Sequence, residues 1–236
     1  MILSVHQPQY IPWLGYFDKI GQSDIFVFLD KVQYKRREYQ NRNRICTKEG
    51  CIWLSVPVAL KGLGRPLINE VKIDNSSNWP KKHFESLKRC YNRAAFFKEH
   101  SDFFEDVYLH NQWEKLIELN VHIIKYILQA FKITTPLYYE SEIGTSSLAT
   151  ERIVEVCQKL KADTYLSGAG GKDYLEEDKF FKSGIKLVYQ NFNHPHYRQQ
   201  YEGINNPFKP YMSSIDLLFN QGEKSNEYIS HRFASR

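Results

Sequence analysis

At 236 residues, with 42% hydrophobic and 25% charged side chains, the chain reads as an ordinary soluble globule. It is long enough for a full core in one domain, or in one domain with a sizeable insertion. The formal net charge of +5 suits an anionic ligand such as a nucleotide or nucleotide sugar, and is too modest to argue for nucleic acid by itself.

Four cysteines, Cys46, Cys51, Cys90 and Cys157, form no C-x-x-C pair and no zinc-ligand spacing. Reduced thiols and a cytoplasmic location are therefore expected. No apolar run of about 18 residues suggests a membrane span, and the start lacks the basic and apolar regions of a signal peptide. Aromatic content is 15%, with 16 tyrosines, whose apolar body and polar tip suit pockets for sugars or bases.

Met1-Ile2-Leu3-Ser4-Val5 reads as a buried strand. His6 and Gln7 sit at its end, and Pro8 holds the loop extended. Pro12 suits the first turn of a helix on which Trp13, Phe17 and Ile20 recur at helical spacing. Ligands of open α/β sheets bind at the carboxyl ends of strands, beside helix N-termini. His6 and Gln7 are thus candidate catalytic groups facing that helix start, with Tyr10 and Trp13 as pocket walls. A lone histidine can equally do no more than hydrogen-bond the turn.

Ile25 to Leu29 is a second buried strand, closed by Asp30. The strongly basic segment Lys31 to Lys48 follows. Arginine offers planar forks for phosphate or carboxylate, and Asn offers paired donors and acceptors. Arg36, Arg37, Asn41, Arg42, Asn43 and Arg44 are therefore candidate substrate-binding residues, although charge runs are often solvated faces. If the segment is extended, Arg42 and Arg44 point the same way. Ile52 to Val58 and Val71 to Ile73 read as strands, separated by a loop marked by Gly62, Gly64 and Pro66.

The middle is helical: Asn78 to about Arg93, Phe96 to about Leu109, and an amphipathic helix traced by Trp113, Leu116, Ile117, Ile123, Ile124, Ile127 and Leu128. Residues 78–135 are read as a helical insertion or layer within a single domain, 1–236. A helix from about Thr150 to Leu160 and a strand at Thr164 to Leu166 come next.

Ser167-Gly168-Ala169-Gly170-Gly171 then forms a loop, with a helix expected from near Asp173. A Gly-rich turn between strand and helix exposes backbone N–H groups to an anion. Ser167, Gly168, Gly170, Gly171, Lys172, Asp173 and Tyr174 are candidates on that basis, with a plain tight turn as the alternative. The spacing fits neither a Walker A loop nor a dinucleotide fingerprint.

Ile185 to Tyr189 is the last clear strand. Gln190, His194 and His196 follow it, and the two histidines suit acid/base work near neutral pH. No third ligand stands at metal spacing, so no metal is expected. Ser214 and Asp216 read as caps of a short apolar helix through Phe219. No nucleophile elbow or H-E-x-x-H motif occurs, and no motif names a cofactor. Strands alternating with helices at both ends predict an α/β fold with a mostly parallel sheet flanked by helices.

Four blocks together resemble the WbqC-like protein family. They are His6-Gln7-Pro8-Gln9-Tyr10-Ile11-Pro12-Trp13-Leu14-Gly15-Tyr16-Phe17, Gln40-Asn41-Arg42-Asn43-Arg44, Leu166-Ser167-Gly168, and Ser214-Ile215-Asp216-Leu217-Leu218-Phe219-Asn220. The family is associated with bacterial surface-polysaccharide gene sets, including lipopolysaccharide O-antigen. The resemblance implies an enzyme tailoring an activated sugar; with the basic and aromatic residues at strand ends it gives the leading expectation, a transferase acting on a nucleotide-linked amino sugar by acyl or aminoacyl transfer.

The opening strand, His loop and helix also look like the start of nucleotidylyltransferase-like folds, without their second His. That analogy keeps an ATP-dependent adenylating or ligating enzyme open. The basic segment keeps open an aminoacyl-tRNA-dependent or RNA-binding role, and a non-catalytic scaffold is the bland alternative.

Overall fold

The computed structural model describes residues 1–229. Its centre is a five-stranded, wholly parallel sheet in the order β7-β2-β1-β8-β9. The strands are β1 (Ile2–His6), β2 (Ile25–Phe28), β7 (Leu137–Tyr139), β8 (Thr164–Ser167) and β9 (Lys186–Tyr189). Parallel sheets are covered on both faces, and these strands obey that rule. Leu3, Val5 and Val27 enter one buried cluster with Ile153, Val156 and Phe180. Phe26 and Phe28 enter the other, larger cluster with Leu14, Phe17 and Ile20. The split follows from the two-residue period of a strand.

Helix α1 (Leu14–Gly21) begins two residues later than the placing of Pro12 in its first turn predicts. The chain turns at Ile11, whose φ of 41° is unusual for a β-branched residue. The buried Asn43 side chain donates to the Ile11 carbonyl at 2.7 Å and holds this turn.

Between β2 and β7 the chain leaves the main sheet. It forms a hairpin of β3 (Arg42–Thr47) and β4 (Gly50–Ser55), then a short pair of β5 (Val58–Ala59) and β6 (Lys72–Ile73). The single strand expected over Ile52–Val58 is thus two, divided at Pro57, which cannot donate to a ladder. Helices α2 (Trp79–Tyr91), α3 (Phe97–Glu105) and α4 (Leu116–Ala130) follow. They bury Phe84, Leu87, Phe104, Ile123 and Ile127 in the larger cluster.

After β7 come α5 (Glu140–Ile143), α6 (Ala149–Lys159), β8 and a turn of 3₁₀ helix at residues 169–173. Helix α7 (Glu177–Lys182) starts later than the expected helix from near Asp173. After β9, a long segment without regular structure leads to α8 (Ser214–Gln221).

From β1 the chain moves outward to β2 and β7, then returns to place β8 on the other side of β1. The strand order therefore reverses between β1 and β8, which is where open α/β sheets leave a crevice at the carboxyl ends of their strands.

Candidate functional site

A cavity of ≈ 370 Å³ occupies that crevice. Val5, His6 and Gln7 line it from the end of β1, and Tyr165, Ser167 and Gly168 from the end of β8. Gly170, Gly171 and Tyr174 of the following turn close one side; Gln9, Lys35 and Glu38 close another. Lys19 of α1, Leu29 and Ile153 complete the lining.

The loop that carries Lys35 and Glu38 is tied over the exit of β1. Tyr10 N–H donates to the Tyr39 carbonyl at 3.0 Å. Gln40 donates through Nε2 to Gln7 Oε1. Asn120 of α4 donates to the Gln40 carbonyl at 2.8 Å. The sequence block Gln40-Asn41-Arg42-Asn43 is thus partly a clamp on the block at His6-Gln7.

Lys19 is the dominant electrostatic feature. It is 3% exposed, and its ammonium donates to the Val5 carbonyl at 3.0 Å. No carboxylate forms an ion pair with it among the described residues. Burial pushes its pKa down from 10.5 to about 7. Gly168 adjoins the amine: a β-carbon there would stand 3.9 Å from Lys19 Nζ, an ordinary contact distance.

His6 shares the cavity. Burial, then the Lys19 charge, lower its pKa to about 3, so the imidazole is neutral throughout the physiological range. Its Nδ1 lies 3.1 Å from the Gln7 carbonyl, which only accepts. Nδ1 therefore carries the proton, and Nε2 keeps a lone pair for a ligand.

Gly171 sets the shape of the β8 turn. A β-carbon there would fall 2.0 Å from Ser167 Oγ. Replacing Gly171 with alanine is expected to cost roughly 1–3 kcal/mol and to weaken ligand binding in the cavity, read by chemical denaturation and by titration.

Of the candidates named from sequence, His6, Gln7, Ser167, Gly168, Gly170, Gly171 and Tyr174 meet in this cavity. The others do not line it. Tyr10 is fully buried in the core, where its hydroxyl meets His83 Nδ1 at 2.8 Å and Tyr108. Trp13 packs edge-on against Phe192. Asn43 holds the Ile11 turn, and Gln190 ties down α1 by donating to the Gly15 carbonyl and to Asp18. The first turn of α1 lines no part of the cavity, yet it does meet the end of β1: the Tyr16 ring packs edge-on against His6 at 5.0 Å, and its hydroxyl donates to the Gln7 carbonyl at 3.3 Å.

Lys172 lies over the Tyr189 ring, and neither it nor Asp173 reaches the lining. His194 packs among Tyr211, Phe192 and Phe208. His196 pairs with Glu202 at 2.8 Å on a different face. Arg36, Arg37, Asn41 and Arg42 line a second cavity, and Arg44 lies beside it on β3. Asp216 caps nothing: it is fully buried and accepts from Tyr91, Tyr197 and Gln199.

Sequence reasoning missed Lys19, Lys35, Glu38 and Gln9. Lys19 follows Asp18 on a helix whose apolar stripe implies a wet opposite face, yet every residue of α1 is buried. Among the described residues no cluster of His, Cys, Asp and Glu could hold a metal ion. No helix among the described residues is long and apolar enough to cross a membrane.

Comparison with known proteins points the same way as the blocks of residues. The family model described as the WbqC-like protein family matches residues 7–228. The chain is also similar to the Mycobacterium tuberculosis (strain ATCC 25618 / H37Rv) protein named "Uncharacterized protein Rv1507c", with 35% identity over 229 residues and 97% of each chain covered. No solved structure gives a significant match.

Proposed function

The chain belongs to the WbqC-like protein family, and on that premise we propose that it is a transferase of bacterial surface-polysaccharide assembly. Its substrate in this reading is a nucleotide-linked amino sugar, which receives an acyl or aminoacyl group. The observation that carries the reading is the crevice between β1 and β8, floored by a buried lysine without a carboxylate partner. An ammonium in such a place is compensated when a phosphate or carboxylate enters.

The chemistry follows from the two groups at the strand ends. Acyl transfer to a sugar amine forms an N–C bond as the donor's acyl bond breaks, and the amine must give up a proton. His6 Nε2 has the free lone pair to accept it. Burial and the Lys19 charge keep its basicity low, and the negative charge of a bound phosphate raises it. Lys19 stays charged against that phosphate. Tyr165 and Tyr174 offer ring edges and hydroxyls to the sugar.

Calorimetric titration with a panel of nucleotide-linked amino sugars, beside their parent nucleoside diphosphates, tests this. At least one amino sugar should bind below the millimolar range and more tightly than its parent diphosphate. Binding of none of them below the millimolar range would overturn the reading.

A further inference from the structure

The basic segment divides between two cavities. Lys35 and Glu38 face the crevice at β1, whereas Arg36 and Arg37 line a separate cavity of ≈ 720 Å³ on the far side of the same loop. Arg42, Ser55 and Lys61 continue that second lining.

The hairpin of β3 and β4 supplies its flank. Arg42 opposes Ser55 and Arg44 opposes Trp53 in register, so these four side chains share one face of the ribbon. Asn43 and Leu54, between them, are buried on the other. Trp53 is 45% exposed, which leaves part of its ring open to solvent. The Arg42 guanidinium carbon lies 4.5 Å from the centre of the Trp53 ring, that of Arg44 lies 5.7 Å away, and Tyr39 flanks it at 5.9 Å.

Arg36, Arg37, Arg42 and Arg44 have no carboxylate partner among the described residues. A lone acid, Asp74, stands in the lining. Two arginine forks beside an exposed indole, with Arg36 and Arg37 in the adjoining cavity, combine the two groups that hold a nucleotide: cations for its phosphates and a π-face for its base.

We propose that this second cavity, with the Arg42–Trp53 face, is a binding site for a nucleoside polyphosphate group. The base stacks at Trp53 and Tyr39, and the phosphates meet Arg36, Arg37 and Arg42. The site goes beyond the sugar-binding crevice and does not depend on it. The same chemistry is presented by a free nucleoside triphosphate and by the nucleotide end of coenzyme A.

The test is titration of the full chain with ATP, coenzyme A, inorganic pyrophosphate and a short single-stranded RNA, following tryptophan fluorescence and heat. ATP or coenzyme A should saturate below the millimolar range, and whichever binds more tightly names the source. Trp53→Ala should weaken that nucleotide about tenfold and leave pyrophosphate unchanged. Arg36→Ala should weaken both. Both side chains are exposed, so neither variant threatens the fold. Lys19→Met should leave this binding intact, which separates the proposal from the crevice reading. Failure of both nucleotides to saturate, or equal binding by wild type and Trp53→Ala, would overturn it. RNA binding far tighter than mononucleotide binding, with a steep salt dependence, would replace it with a nucleic-acid surface.

Discussion

Replacing Lys19 with methionine is expected to lower the affinity of the crevice for a phosphate-bearing ligand by roughly 10- to 100-fold, the worth of a charge-assisted hydrogen bond. Methionine keeps the aliphatic stem that α1 buries and removes only the charge. A loss of fold is therefore not expected, and stability should change in a defined way with pH.

The sign follows from the depressed pKa. An unfolded chain keeps this lysine protonated up to 10.5, whereas the folded chain releases the proton at about 7. Between those values the unfolded state binds more protons, so stability rises with pH across that window. Below about 7 the fold bears the full cost of a buried ammonium, on the order of a few kcal/mol. The Lys19→Met variant lacks this term. Urea denaturation near neutrality and near pH 10 should show wild type gaining on the variant as pH rises. A constant difference between the two would show that Lys19 is not desolvated as described, and unchanged ligand affinity would remove it from the site.

The second large effect lies away from the crevice. Asp216→Ala is expected to cost about 3–5 kcal/mol, with a fall in Tm of roughly 10 °C for a chain of this size. Asp216 is fully buried, and its carboxylate accepts from Tyr91 and Tyr197 at 2.8 Å and from Gln199 at 2.7 Å. Truncation strands three buried donors at once. It also loosens α8, whose start clamps the site: Ser214 N–H donates to the Pro12 carbonyl, and Ser213 N–H to the Arg44 carbonyl.

Burial raises the Asp216 pKa against the pull of these donors. The folded state therefore holds more protons than the unfolded state just above pH 3.8, and the contribution of this group falls as pH rises through that window. Asp216→Asn keeps one acceptor oxygen and should cost less than alanine. Denaturation of the three proteins at neutral pH ranks them, and a cost below 1 kcal/mol for alanine would contradict the network described.

The main sheet was readable because its strands are short apolar runs punctuated by polar residues, as at Ile25 to Asp30. β7 escaped notice because Leu137-Tyr138-Tyr139 is a three-residue edge strand with no period to read. β3 was legible only as the extended alternative for a basic segment whose arginines mimic a solvated loop; that alternative, with Arg42 and Arg44 on one face, is what the hairpin adopts. The crevice was half readable. His6, Gln7 and Ser167 to Gly171 stand next to strand ends, where local order predicts proximity to a ligand.

Tyr10 and Asn43 belong to the same blocks of sequence yet serve the fold, because a buried hydrogen bond and a ligand contact demand the same residue types. Lys19 could not be found from pattern: its burial depends on the covering layer formed by residues distant in the chain. The split of the basic segment between two cavities is likewise set by Gln40, whose ties to Gln7 and Asn120 are tertiary.

The most direct test is a crystal structure of the chain with a nucleotide-linked amino sugar that binds it. The ligand is expected between β1 and β8, with its phosphates within hydrogen-bond distance of Lys19 Nζ and its sugar nitrogen beside His6. A ligand lodged elsewhere, with the crevice between His6 and Gly168 empty, would contradict that placement.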